Sequence, residues 1–226
     1  MNSPSARAQL DALIAEERPG VVIVGAGATA QDLAPYVSDE WEIWGCNSLV
    51  RPFVEWDGIK VAAHRWFQIH PINVCSDAEK VWAKICPLPI YCVPHTRAAD
   101  APMAVSYPLD DANRLSLAVA GFASTFAYEV ALAILEGKDR IHLAGLAYSV
   151  GGTVREVIVE GPNLMWWAAG AVGKGIEVTS QGGFDPGIAM LGWHYGFDYF
   201  EERNAVREYA RKIRREIMTR NIDGDV

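Results

Sequence analysis

A glycine-rich turn between a predicted strand and a predicted helix is the first candidate for chemistry. In VVIVGAGATAQDL, the apolar run Val21–Val24 leads into Gly25 and Gly27, and a helix is predicted to begin near Thr29. Glycine permits positive φ and leaves no Cβ to hold an anion away, while the N–H groups and dipole of a helix N-terminus attract phosphate. The pattern predicts a nucleotide-phosphate site. The alternative is a turn that needs glycine only for tight strand–helix packing.

The position after the second predicted strand argues against a dinucleotide. Sites for NAD in α/β folds usually present Asp or Glu there to hold the ribose hydroxyls. Here the strand WEIWG is followed by Cys46, Asn47 and Ser48, so no carboxylate occupies that position. The Asn47 side chain offers both a donor and an acceptor, and it is predicted to contact a ribose or a base. An NAD(P)-dependent oxidoreductase is therefore the weaker hypothesis.

Residues after later strands are candidates for a general base and for a cation that contacts phosphate. His70 is predicted to close the third strand, at the edge where open α/β sheets bind ligands, and it is the preferred base. Arg97 follows the fourth strand and is predicted to contact the phosphate of the bound nucleotide. His142 alternates with apolar residues in a strand and is interpreted as structural. Asp110 and Asp111 are interpreted as a helix N-cap, so no metal site is predicted.

Apolar runs alternate with helical patterns along the chain, which predicts a Rossmann-like α/β fold with a doubly wound, mostly parallel sheet. The predicted strands are Val21–Val24, Trp41–Gly45, Trp66–His70, Pro89–Val93, Arg140–Gly145 and Gly175–Thr179. The predicted helices are Ala30–Val37, Ala112–Leu117, Phe122–Glu136 and Asn163–Val172, with Gly137 ending the third. The proline-rich segment Cys86–Leu109 is interpreted as one strand followed by a long surface loop.

Composition limits the partners of the chain. Its 226 residues are expected to form a single domain, with an N-terminal helix over 1–18 and a charged C-terminal helix over 198–220. The formal net charge of −8 argues against nucleic acid and anionic membranes and favours a small-molecule ligand. No apolar run is long enough to span a membrane, and charges interrupt the N-terminal segment, so a cytoplasmic location is expected.

The pair Trp166-Trp167 is interpreted as a core or homo-oligomer contact.

Three motifs together resemble a known family. They are G-x-G-x-[ST] after the first strand, W-x-C-N after the second, and STFAYEVALAILEGKDRIHLAG over residues 124–145. The chain resembles the bacterial sialyltransferases of lipooligosaccharide synthesis, together with related motility-accessory and phage-encoded Rossmann-like proteins. The resemblance implies a metal-independent glycosyltransferase that takes a cytidine nucleotide sugar as donor and needs no prosthetic group. It assigns nucleotide contacts to Gly25, Gly27, Thr29, Asn47, Ser124 and Thr125.

The sequence departs from the family pattern where the chemistry would occur. Ala26 stands in place of an Asn, Ala147 in place of an Asp, and the lid is shortened to about residues 149–162 without its histidine. The lid carboxylates Glu156 and Glu160, together with His70, are the candidate bases. A nucleotide-binding protein without catalysis is therefore kept as a second hypothesis.

Overall fold

The computed structural model describes residues 18–47, 63–93, 101–115, 121–146 and 155–181. The chain divides into two compact units, Met1–Pro186 and Gly187–Val226, and every described residue belongs to the first. Residues 1–17 of the predicted N-terminal helix, the predicted C-terminal helix and Arg97 lie outside the described residues. The single-domain organisation stays a prediction.

The described core is one sheet of seven parallel strands in the order β5-β4-β3-β2-β1-β6-β7. The strands are β1 Gly20–Val24, β2 Trp41–Cys46, β3 Arg65–Phe67, β4 Ile90–Cys92, β5 Ala104–Ser106, β6 Arg140–Ala144 and β7 Glu177–Gln181. The helices are α1 Ala30–Leu33, α2 Asp77–Ile85, α3 Leu109–Arg114, α4 Thr125–Leu135 and α5 Gly161–Gly173. The predicted α/β class with a doubly wound, parallel sheet is confirmed.

The central strands are apolar on both faces because helices cover both. In β1, Val21 and Ile23 pack in the core cluster that contains the buried residues of α4 and α5. Val22 packs on the opposite face, with Leu33 of α1. A strand buried on both faces reads as a continuous apolar run, which is why VVIV predicted β1 correctly.

A buried ion-pair network connects the start of β2 to β3 and to the turn after α4. Glu42 receives Arg65 Nε at 2.7 Å, Lys138 Nζ at 2.5 Å and Trp44 Nε1 at 2.7 Å. Arg65 also contacts Glu136. All the charges except Glu136 are buried, and each has a partner of opposite sign, which is the condition under which buried charges are tolerated.

Several predicted boundaries are wrong. β3 ends at Phe67, three residues before His70, and the segment interpreted as a loop contains β5. α2 was not predicted, although Ser76 and Glu79 form a capping box at its start. The helix expected over Ala112–Leu117 is α3, Leu109–Arg114; Asp110 and Asp111 therefore lie in its first turn, and Pro108 is the N-cap residue.

The described residues, 18–47, 63–93, 101–115, 121–146 and 155–181, include neither a membrane-spanning helix nor a metal-binding cluster. No helix there has the length and apolar character needed to cross a bilayer. The same residues include no group of three or more His, Cys, Asp or Glu side chains arranged to hold a metal ion.

Candidate nucleotide site

The parallel sheet brings the ends of three central strands to one edge. Gly25 follows β1, Asn47 follows β2 and Gly145 follows β6, while β1 pairs with both neighbours in parallel. The chain leaves β1 toward β2 on one side, and β6 lies on the other. This change of direction is the topological switch point at which open α/β sheets bind ligands. The predicted glycine turn and Asn47 therefore lie at the expected edge.

The amides of the glycine turn are already paired. Gly25 N donates to Ala144 O at 2.7 Å, and Gly27 N donates to Gly145 O at 3.0 Å. An added Cβ at Gly25 would lie 2.6 Å from Gly145 O, and one at Gly27 would lie 2.9 Å from the same oxygen. Both glycines thus permit close packing of the β1 turn on the β6 turn, as the packing alternative predicted. In this arrangement their N–H groups are not available to a phosphate.

Gly145 is a site residue that sequence reasoning did not single out. Its φ is +65°, and an added Cβ would lie 1.9 Å from Ala28 N and 2.5 Å from Ala28 Cα. Only glycine fits between the two turns. The available signal was its position as the last residue of IHLAG, directly after a buried strand.

Thr29 and Asp32 cap the short helix α1 with each other's side chains. Asp32 Oδ2 accepts from Thr29 N at 2.9 Å and from Thr29 Oγ1 at 2.8 Å, while Asp32 N donates to Thr29 Oγ1 at 3.2 Å. Gln181 of β7 donates to the other carboxylate oxygen. The hydrogen bonds from Thr29 lower the pKa of Asp32 and keep it ionised. A carboxylate therefore occupies the helix start, where the glycine-rich turn predicted unpaired N–H groups.

Asn47 joins β2 to α4 and retains an unused acceptor. Its φ is +47°, a left-handed conformation that Asn tolerates better than most residues. Its backbone N donates to Phe67 O at 3.1 Å, and its Nδ2 donates to Thr125 Oγ1 at 3.0 Å. Its Oδ1 is buried and has no hydrogen-bond partner among the described residues. Buried polar atoms are nearly always paired, so this oxygen marks a place for a donor from a ligand or water.

Ser124 and Thr125 begin α4 at the same edge. Ser124 Oγ accepts from Ala127 N at 3.3 Å as the N-cap, and Thr125 is buried against Asn47. The structure therefore brings together three of the predicted contact residues, Asn47, Ser124 and Thr125.

The segment before Ser124 is held by α5. Asn163 Oδ1 accepts from Ala123 N at 2.9 Å, and Asn163 Nδ2 donates to Gly121 O at 3.2 Å. Trp167 Nε1 donates to the same carbonyl at 2.9 Å. The ring of Phe122 stacks on Trp167 with ring centroids 4.8 Å apart. These contacts fix the path of the chain into α4.

The candidate bases differ in their surroundings. His70 is exposed, three residues beyond the end of β3. Glu160 pairs with Arg155 at 2.9 Å, and Glu156 begins a π-helical turn, Glu156–Glu160, that runs directly into α5. Residues from Arg155 onward are thus helical, and the structure describes the predicted lid, about residues 149–162, only from Arg155.

His142 lies inside the sheet, as its alternation with apolar residues predicted. It is buried, its Nδ1 lies 2.8 Å from Thr179 Oγ1, and its ring stacks on Tyr36 at 4.4 Å between centroids. Burial lowers its pKa, which favours the neutral imidazole. These contacts explain His142 without a role at the site.

Comparison with known proteins gives one distant similarity. No family model matches the chain, and no curated protein matches it significantly. Among solved structures, the chain is similar to the sialyltransferase CstII from Campylobacter jejuni in complex with the substrate analogue CMP-3FNeuAc. The two are 15% identical, with a TM-score of 0.45, over 76% of this chain and 82% of that chain.

Proposed function

We propose that this protein binds a pyrimidine nucleotide sugar at the edge formed by Asn47 and Thr125, and that it acts as a metal-independent glycosyltransferase. The observation that carries the proposal is the buried Oδ1 of Asn47 beside the start of α4, which no described residue pairs. The Nδ2 group of Asn47 is committed to Thr125, so the remaining capacity of its side chain is acceptance. It suits a ligand group that donates, such as the exocyclic amine of cytosine or a ribose hydroxyl.

The charges near the glycine turn favour a donor with few phosphates. The amides of Gly25 and Gly27 are paired, and the Asp32 carboxylate stands at the start of α1. A negative charge there opposes a diphosphate more than a single phosphodiester. The proposal therefore favours a sugar joined to the nucleoside through one phosphate, as in the cytidine donors of the family that the motifs resemble. Contacts of that phosphate with Gly25, Gly27 and Thr29, as the motif predicted, would require their N–H groups to leave the bonds that they make here, whereas Arg97 stays a predicted contact.

The acceptor hydroxyl needs a base, and His70 is the one we propose. Its imidazole is exposed at the carboxyl end of β3, where it can reach solvent-borne substrates. Glu160, which contacts Arg155, is the second choice. A base removes the acceptor proton as the glycosidic oxygen bond forms, and the nucleotide leaves with the bonding electrons.

Nucleotide binding without transfer is the second candidate function. The pairing of Glu160 with Arg155 favours it, because one oxygen of that carboxylate already accepts a hydrogen bond from Arg155 Nε. The two candidates share the Asn47 site and differ only in turnover. Release of CMP from a CMP-sugar, measured with wild type and with His70→Ala, separates them.

Calorimetric titration with CMP, a CMP-sugar, a UDP-sugar and NAD tests the site. We expect the cytidine ligands to bind more tightly than NAD. Asn47→Gly, which keeps the positive φ without strain, is expected to weaken cytidine binding by about 1–3 kcal/mol, since the ligand donor loses its acceptor. Asn73→Ala, an exposed Asn in the turn before α2, is the matched control. Tight NAD binding, or unchanged CMP binding by Asn47→Gly, would contradict the proposal.

A further inference from the structure

Helix α2 presents a row of apolar side chains to solvent. Three of the six large apolar residues that are exposed in the described part of the chain lie here: Val74 just before the helix, 67% exposed, Val81, 56%, and Ile85, 67%. Ala78 is exposed between them. Residues three and four apart are neighbours on a helix, so these side chains form one α2 stripe. Single exposed apolar residues are ordinary, whereas a contiguous patch marks an interaction surface.

The core beneath the α2 stripe holds it in a fixed position. Ser76 N donates to Glu79 Oε2 at 2.8 Å, and Glu79 N donates to Ser76 Oγ at 3.3 Å, so a capping box fixes the start of the helix. On the inner side, Ala83 is buried, and the ring of Trp82 packs edge-on against Trp66 with centroids 5.3 Å apart. A surface that is already ordered loses little conformational entropy when a partner binds.

Two charges of opposite sign lie along one border of the α2 stripe. Asp77 is in the first turn and its side chain is fully exposed, while Lys84 is in the last turn and is also exposed. They are seven positions apart, so they lie on the same side of the helix. Lys80 contacts Asp77 at 3.3 Å, but such exposed pairs contribute little. The carboxylate of Asp77 can therefore meet a cation of a partner.

This distribution of charge is complementary to itself when two copies of α2 are antiparallel. A two-fold axis across the helix places Asp77 of each copy beside Lys84 of the other, and the two pairs are equivalent by symmetry. The same arrangement places Ala78 of one copy against Val81 of the other. In a parallel pair, each charge would instead face its own kind, which is unfavourable. The charges thus favour an antiparallel pair.

The charge of the whole chain also favours α2 as the meeting surface. The formal net charge is −8, so two copies repel each other over most of their surfaces. The solvent-facing charges of α2 are one acid, Asp77, and two bases, Lys80 and Lys84. An apolar stripe without excess negative charge is where two copies approach at the lowest electrostatic cost.

We propose that the α2 stripe is a self-association surface, on which a second copy of this chain docks antiparallel through apolar contacts bordered by two Asp77–Lys84 pairs. The proposed dimer goes beyond the nucleotide site and does not depend on it. Helix α2 has nine residues and is about 13.5 Å long, so the pair buries less than the roughly 1,200 Å² of a standard interface. The dimer is therefore transient and forms only at high protein concentration.

Sedimentation equilibrium of the full chain between about 10 µM and 1 mM tests the dimer. We expect the average mass of wild type to rise from the monomer toward the dimer over this range. Val81→Glu puts a carboxylate in the middle of the stripe on both copies, so this variant should stay monomeric. Val37→Glu is the matched control, because Val37 is 51% exposed and lies outside α2. It should associate as wild type does, and both variants should keep the stability of wild type in urea.

Charge reversal tests the direction of the pairing. Asp77→Lys or Lys84→Asp alone brings like charges together at two symmetric places, and we expect each to weaken association about tenfold. The two substitutions together restore opposite charges and should recover most of the association. A parallel pair would show no such recovery, since each position would still face its own copy. Urea unfolding measures separately what the reversal costs the helix itself.

Three results would overturn the proposed dimer. The first is a wild-type chain that is monomeric up to about 1 mM, which would leave the stripe exposed or covered by a different partner. The second is an equal loss of association in Val37→Glu and Val81→Glu, and the third is no recovery in the double reversal. The test uses no nucleotide, so its failure leaves the proposed function standing, and failure of cytidine binding leaves the dimer standing.

Discussion

Replacing Gly145 by alanine tests whether the β1 and β6 turns are locked together. The new Cβ would lie 1.9 Å from Ala28 N and 2.5 Å from Gly27 C, and both are backbone atoms that cannot rotate away. Alanine at φ +65° costs about 1–2 kcal/mol by itself. Separating the turns also breaks the bond from Gly27 N to Gly145 O, which contributes about 0.5–1.5 kcal/mol. With the steric overlap added, we expect a loss of roughly 3–5 kcal/mol in the free energy of unfolding.

Gly137→Ala is the matched control for this measurement. Gly137 has φ +68°, nearly the same backbone conformation, but no atom lies within 4 Å of an added Cβ. Its replacement should therefore cost only the conformational part, about 1–2 kcal/mol. Urea unfolding of both variants, followed by circular dichroism, gives the difference. If Gly145→Ala is no less stable than Gly137→Ala, the close packing of the two turns is wrong, and with it the account of Gly25 and Gly27.

Two further predictions concern residues that hold β2 and the segment before α4 in place. Glu42→Gln should lower the free energy of unfolding by about 3 kcal/mol, because Arg65 and Lys138 keep their buried charges without that carboxylate. The control Glu40→Gln breaks the exposed pair with Arg140 and should change the free energy of unfolding by less than about 1 kcal/mol. Equal effects in urea unfolding would refute this distinction. Asn163→Ala removes both bonds to the Gly121–Ala123 segment and should weaken CMP binding about tenfold in calorimetry, whereas Lys174→Ala, at the far end of α5, should not. Unchanged CMP affinity in Asn163→Ala would show that this segment does not position Ser124.

The elements that the sequence predicted well are those whose signal is local. β1 is apolar at every position because both faces are covered, and α4 shows apolar residues at helical spacing before Gly137 ends it. Among the elements that it missed, α2 carried a local signal, the capping box of Ser76 and Glu79, whereas β5 did not. β5 has only three residues and lies after a proline-rich segment, and its strand conformation depends on pairing with β4. Short strands are stabilised by their neighbours, so their own residues predict them poorly.

The sequence by itself determined the fold class and the edge at which the candidate site lies. Strand-ending residues such as Gly25 and Asn47 must meet at one edge once the strands are parallel, and this requires only the alternation of strands and helices. Tertiary structure alone decided what those residues do. Asn47 meets Thr125 across 78 positions of sequence, the amide of Gly27 is taken by Gly145, and burial favours the neutral form of His142. Hydrogen bonds and desolvation depend on which groups the fold places side by side, and no local pattern encodes that proximity.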